Sequence, residues 1–186
     1  MQMDSLLNKL YSDMQKNVYA VVNYTQIEEH IGNQTFGTVN KDDFEKLINN
    51  FSEYFNKDTV FYDLGSGLGN IVNHVSIKVT PKKSCGIELS HERHEYAKQF
   101  SIDNNIQSIF LEGSFFDFDI SDATVIYNDN TMYTIKVNKK IYDMIPTGCL
   151  YFFRNCAYKL FTKEEVFTTS CATTYGSSSL FYLIKK

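Results

Sequence analysis

Tryptophan is absent from this 186-residue chain, and proline occurs only twice, at Pro81 and Pro146. No apolar run approaches the ~20 residues that a membrane-spanning helix needs, so no membrane partner is expected. The N-terminus, Met1-Gln2-Met3-Asp4, lacks the basic head and apolar core of a secretory signal. An excess of positive charge is missing too: 18 Lys and Arg face 22 Asp and Glu, a formal net charge of −4. No global basic field therefore announces a nucleic-acid partner, which leaves only a local patch open. The four cysteines, Cys85, Cys149, Cys156 and Cys171, form no Cys-x-x-Cys pair and lie mostly in apolar runs. They read as buried, reduced thiols of an intracellular protein. The length suits one domain with a substantial core.

What is present is concentrated in one stretch, Phe61-Tyr62-Asp63-Leu64-Gly65-Ser66-Gly67-Leu68-Gly69-Asn70. It reads as an apolar strand, an acid, a glycine-rich turn and a helix. A second apolar run, Cys85-Gly86-Ile87, ends in Glu88. Glycines at such a turn let a ligand come within van der Waals distance of the backbone. Two cofactor classes use this turn at the crevice of a doubly wound sheet. The dinucleotide fingerprint Gly-x-Gly-x-x-Gly starts at Gly65 and Gly67 but fails at Asn70. Asp63, two residues before the first glycine, would also repel a pyrophosphate. A Walker-type phosphate loop is excluded because no Gly-Lys-Ser/Thr follows. A methionyl moiety with its ammonium and sulfonium instead welcomes a carboxylate, which points to S-adenosylmethionine and methyl transfer. A tight turn that binds nothing is the plain alternative; the pairing of Asp63 with Glu88 argues against it.

The rest of the chain supplies a coherent frame. Residues 4–16 predict a helix with Leu6, Leu7, Leu10 and Met14 on one face. After a polar stretch, Phe44, Leu47, Ile48, Phe51 and Phe55 recur at helical spacing, with Asn40 placed to cap that helix. Strands are expected at 59–63, 84–88, 108–111, 124–127 and 149–153, with helices at 69–78, 91–104 and 135–144. Two further strands, 166–171 and 180–184, close the chain, joined through Gly176 and serines. This order predicts an α/β fold, a doubly wound, mainly parallel seven-stranded sheet with an antiparallel C-terminal strand. Residues 1–40 are expected as an N-terminal helix and loop extension packed on a core of residues 41–186.

Each candidate site residue has a plainer reading beside it. Asp63 can act on the methionyl ammonium or cap the turn. Glu88 can accept both ribose hydroxyls or serve as a helix-start charge. Gly65, Ser66, Gly67, Asn70 and Leu89 flank these two acids. Ser114 can hydrogen-bond the adenine edge while Phe115 or Phe116 packs on its face; the two rings are equally compatible with core. Asp117 and Asp119 read as solvated loop charges. Asn128-Asp129-Asn130 ends the fourth strand, where amide oxygens can hold an amine in line with the sulfonium, or simply start a turn. His91-Glu92-Arg93-His94-Glu95 fails the metalloprotease pattern, since Glu95 stands where the second histidine is needed, and no metal is expected. His30 and His74 show no partner arrangement.

Taken together, several segments resemble the non-SET histone lysine methyltransferases of the Dot-one (disruptor of telomeric silencing) type. They are Thr35-Phe36-Gly37-Thr38, the stretch from Asp63 to Asn70, Gly86-Ile87-Glu88, Glu112-Gly113-Ser114-Phe115-Phe116, and the run from Val125 to Tyr133. The resemblance covers most of residues 33–155. It implies ribose contact by Glu88, adenine contact by Ser114 and Phe115, Asn130 beside the methyl donor, and Phe36 and Tyr133 near a lysine channel. It also implies a protein substrate of the histone or nucleosome kind. Departures occur at four positions: Thr38 replaces the family's cofactor-contacting Glu, Ser114 its adenine-binding Asp, and Asp129 and Tyr133 its Asn and Phe.

The expected chemistry is direct displacement by a neutral amine, with S-adenosylhomocysteine leaving. Free lysine has a pKa of ~10.4, so an aromatic channel that disfavours the ammonium would help. No strong general base is visible. Three functions stay open on the sequence: a protein-lysine N-methyltransferase, a methyltransferase of a small molecule or nucleic acid, and a non-catalytic subunit that keeps the fold. S-adenosylmethionine binding separates the last from the first two, and the identity of the labelled acceptor separates those.

Overall fold

The computed structural model describes residues 2–17, 38–131, 133–154, 167–173 and 176–186. Helix α1 (Gln2–Asn17) and helix α2 (Lys41–Asn50) precede strand β1 (Val60–Leu64). Then follow α3 (Asn70–Val79), β2 (Lys83–Glu88), α4 (His91–Asp103), β3 (Ile109–Glu112) and a 3-10 turn (Phe115–Asp117). The chain continues with β4 (Val125–Asn128), α5 (Ile135–Met144), β5 (Leu150–Phe153), β6 (Phe167–Thr173) and β7 (Gly176–Lys185).

The seven strands form one sheet in the order β3-β2-β1-β4-β5-β7-β6. β1 to β5 pair in parallel, and β7 runs antiparallel to both β5 and β6. This is the doubly wound, mainly parallel sheet expected from the alternation of strands and helices. Strand alternation divides the core in two. Phe61, Val125, Tyr127, Phe152 and Leu183 meet Phe44, Leu47, Val72 and Val75 of α2 and α3 on one face. Tyr62, Leu64, Ile87, Ile126 and Phe153 meet Phe115 and Ile141 on the other. Leu7, Leu10 and Tyr11 of α1 pack with Leu68 and Phe100 in a third cluster.

Local chemistry sets the element ends. Ser90 and Thr134 cap α4 and α5, their hydroxyls accepting from Arg93 N–H (3.4 Å) and Val137 N–H (3.3 Å). Asn40 holds the N-cap position of α2 but makes no side-chain cap bond. That helix stops at Asn50 rather than running through Phe55. Beyond it Asn56 binds Glu53 O (2.9 Å) and Asp58 N–H (2.9 Å), and this local turn competes with helix. Phe55 still reaches the core, from the turn. Gly176 and the serines after it belong to β7 rather than to the connection before it.

Candidate cofactor crevice

The order of strands reverses between β1 and β4, so the connections after them leave in opposite directions and open a crevice at their C-terminal ends. The glycine turn fills one wall. Gly65 and Ser66 both donate their N–H to Ile87 O, at 2.9 and 3.0 Å, which latches the turn onto β2. Gly67 N–H donates to Glu88 Oε2 (2.8 Å), and Ser90 N–H to Oε1 (2.9 Å). Glu88 is thus a buried carboxylate pinned from both sides. Each oxygen keeps a lone pair, the arrangement needed to accept two vicinal ribose hydroxyls.

The glycines divide by role. A Cβ on Gly69 would lie 2.7 Å from Ala97 and Phe110, so this glycine lets α3 approach α4 and β3. A Cβ on Gly86 would meet Ser66 Oγ at 2.6 Å, so the Ser66 side chain is packed against β2. Its hydroxyl is buried there without a hydrogen-bond partner among the described residues. Gly65, at φ +88°, faces the crevice, and its Cβ position lies 3.3 Å from the Tyr133 hydroxyl.

Asp63 and Glu88 point to the same side of the sheet, because β1 and β2 pair Asp63 with Gly86 and side chains two apart share a face. Asp63 is 3% exposed and takes no hydrogen bond from the described residues. Burial pushes its carboxyl well above the usual range, and the charges of Glu88 and Asp129 add to that rise. Asp129 is balanced by Arg154, whose guanidinium lies 2.8 Å from Oδ2, and its Oδ1 accepts from the Thr131 hydroxyl at 2.6 Å. Among the described residues, the crevice therefore holds two buried carboxylates without an adjacent cation. That is a poor place for a pyrophosphate and a good one for a cation, so these residues fit S-adenosylmethionine, whose ammonium and sulfonium are positive.

Beyond the acids, Asn128 ends β4 fully buried. Its amide donates to Leu64 O, tying β4 to the glycine turn, and its Oδ1 accepts from Tyr151 OH (3.4 Å). Asn130 is 2% exposed. Its Nδ2 donates to Asn138 Oδ1 (2.5 Å) and its Oδ1 accepts Arg154 N–H (2.8 Å), which joins β4, α5 and β5 at their crevice ends. Tyr133 packs its ring 6.0 Å from Phe115, and burial first, then Glu88, raises its phenol pKa. Ser114 caps the 3-10 turn, accepting Phe116 N–H at 3.3 Å, so its own proton stays available to a ligand. Phe115 is buried against Phe116 at 4.6 Å, and Leu89 is exposed just past Glu88. Asn70 is buried, and its amide donates to Thr38 Oγ1, which fastens the segment before α2 to the start of α3. Phe36 lies outside the described residues. His91 pairs with Glu112 (3.1 Å) and Glu95 with Lys98 (3.2 Å) at the solvent side of α4.

The structure thus gathers Asp63, Gly65, Gly67, Glu88, Ser114, Phe115 and Tyr133 around one crevice, and adds residues that sequence reasoning passed over. Ser90 supplies the second N–H to Glu88, and its signal was the N-cap serine itself. Arg154 is the counter-charge to Asp129; nothing in its surroundings in sequence marks it, because the pair forms across two neighbouring strands.

Comparison with known proteins agrees with this geometry. The family described as "Histone methylation protein DOT1" matches residues 15–150. A protein-lysine N-methyltransferase of Saccharolobus islandicus (strain REY15A) is 31% identical over 106 residues, covering 52% of this chain and 66% of that one. An H3 lysine-79-specific histone-lysine N-methyltransferase of Caenorhabditis elegans is 26% identical over 165 residues, 78% of this chain but 16% of the nematode protein. This chain thus spans less than two thirds of either relative. Among solved structures, an RNA methyltransferase from Salinibacter ruber in complex with S-adenosyl-L-homocysteine superposes with TM-score 0.61 at 19% identity, covering 80% of this chain and 94% of that one. A methyltransferase from Geobacter sulfurreducens gives TM-score 0.61 at 12% identity, covering 97% and 90%. At such identities these likenesses speak for the fold. The match over residues 15–150 covers well over half of the sequence: the chain belongs to the DOT1 histone methylation protein family, and it is built on the fold of S-adenosylmethionine-dependent methyltransferases.

Proposed function

We propose that this protein is a protein-lysine N-methyltransferase, with a histone as the acceptor implied by the family. The observation that carries the reading is the pair of buried acids: Glu88 pinned by two N–H groups, and Asp63 beside it without a hydrogen-bond donor or adjacent cation among the described residues. When bound, S-adenosylmethionine supplies an electrophilic methyl on a sulfonium. Glu88 holds the ribose, Ser114 and Phe115 the adenine, and Asp63 the ammonium. Gly65 and Gly67 let the backbone approach. Asn130, locked to Asn138 and Arg154, keeps the end of β4 rigid beside the reacting centre. The Tyr133 ring lines the approach of the acceptor, where exclusion of water favours the neutral amine. Much of the acceleration then comes from holding the two reactants in line. The acceptor class rests on the two relatives, both of them lysine methyltransferases.

The test has two stages. S-adenosylmethionine is titrated into the protein first, and saturable binding is expected. Transfer of a radiolabelled methyl is then followed to free histones, nucleosomes, RNA and a small-molecule extract. Label on a histone lysine supports the reading, label confined to RNA or a small molecule replaces the acceptor, and binding without any transfer favours a non-catalytic subunit.

A further inference from the structure

An S-adenosyl donor carries an anion as well as its two cations: the carboxylate of its methionyl end. In this crevice that carboxylate would sit among Asp63, Glu88 and Asp129, so it needs hydrogen-bond donors. The glycine turn has almost none to spare. Gly65 and Ser66 spend their N–H on Ile87 O, Gly67 on Glu88 and Gly69 on Ser66 O. Of the nearby side chains, Asn70 donates to Thr38 and Arg154 pairs with Asp129, while the Ser66 hydroxyl is turned against Gly86 of β2.

A side-chain donor stands over the turn itself. The Tyr133 hydroxyl stands 3.3 Å from the Cβ position of Gly65, directly over the turn. Among the described residues no hydrogen bond takes up its proton, and the amide of the neighbouring Asn128 is held by Leu64 O and Tyr151 OH. Burial and the nearby acids keep that proton on, so the group is a neutral donor across the physiological range.

We propose that the Tyr133 hydroxyl, standing over Gly65, is a donor that receives the carboxylate of the cofactor's methionyl end. The assignment rests on S-adenosylmethionine as the cofactor and refines it: Tyr133 faces the acceptor with its ring and the donor with its oxygen. Phenylalanine at this position, as in the family pattern, cannot make the bond.

The experiment compares two nucleosides by calorimetry on the wild-type protein and on Tyr133→Phe, which keeps the ring and its packing. S-adenosylhomocysteine has the carboxylate; 5′-deoxy-5′-methylthioadenosine lacks the whole amino-acid arm. Loss of one hydrogen bond to a charged group predicts that Tyr133→Phe binds S-adenosylhomocysteine ~10-fold more weakly. Methylthioadenosine affinity should stay within about twofold, since its adenosine contacts are untouched. Equal loss for both nucleosides would assign Tyr133 to packing, and unchanged or tighter S-adenosylhomocysteine binding would overturn the contact. If the wild type binds neither nucleoside, the cofactor reading itself fails and the proposal falls with it.

Discussion

Asp63 is set against the stability of the fold that carries it. Folding removes its carboxylate from water, beside Glu88 and Asp129, and this raises its pKa. Above the ordinary carboxylate pKa of ~3.9, the unfolded chain has released this proton while the folded chain still holds it. The folded state therefore loses stability as pH rises through that window, up to the raised pKa, and bears the full cost above it. A cationic ligand reverses the sign by favouring the ionised form. Asp63→Asn is accordingly expected to raise the melting temperature of the cofactor-free protein at pH 7 and to weaken S-adenosylmethionine binding by at least ~10-fold. Melting scans and titrations of both proteins at pH 5, 7 and 8 test this; a mutant that melts lower and binds normally would remove Asp63 from the site. Reading the sequence found Asp63 and Glu88 because an acid at a strand end is a local signal. It could not see that Glu88 is held by Gly67 and Ser90, or that Ser66 faces β2, because both depend on how the turn folds over β2.

Elements meet at the glycine turn under two separate demands, conformation and space, and the structure separates them. Gly69 and Gly148 both lie at positive φ, +76° and +87°, where a side chain is strained. Only Gly69 is also crowded, with Ala97 and Phe110 at 2.7 Å from its Cβ position; Gly148 has nothing within 4 Å. Gly148→Ala should therefore cost only the backbone term, about 1–2 kcal/mol. Gly69→Ala should add the overpacking cost of roughly 1–3 kcal/mol. Urea unfolding of the two variants measures the difference; equal losses would mean that α3 and α4 yield freely at their contact. Strand and helix order was readable from periodicity, since β1, β4 and β5 are largely apolar runs, β2 has the short run Cys85-Gly86-Ile87, and α5 starts at a capping threonine. Helix α2 was overextended because Phe51 and Phe55 keep helical spacing while Asn56 closes a local turn.

Across the whole molecule, α1 and α3 are joined by a buried polar contact that makes the fold acid-sensitive. His74 is fully buried, and burial first, then Lys78 and Lys41, lowers its pKa to about 3. It stays neutral; Nδ1 shares a hydrogen bond of 2.8 Å with Tyr11 OH, while Nε2 lies 3.9 Å from Glu45, too far for a hydrogen bond. Below the model-peptide value of 6.5 the unfolded chain takes up a proton that the folded chain refuses until about pH 3. Stability should fall by roughly 1.4 kcal/mol per pH unit through that window from this group alone. In His74→Gln, denaturant unfolding between pH 6.5 and 4 should show a shallower decline. An unchanged slope would place the acid sensitivity elsewhere. Among the described residues no helix is long and apolar enough to cross a membrane. The thiols of Cys85, Cys149 and Cys171 are free and buried.

The sequence by itself determined the strand and helix order, the glycine turn and the two strand-end acids, because each is written in neighbouring residues through periodicity or the needs of a tight turn. Tertiary structure decided which groups in the crevice are still free to bind. It spends the N–H groups of Gly65, Ser66 and Gly67 on β2, commits Asn130 and Asn70 to bracing, cancels Asp129 with Arg154 and brings the Tyr133 hydroxyl over Gly65. Those choices belong to hydrogen bonds between residues distant along the chain. Motif spacing carries no record of which donors and acceptors folding leaves over.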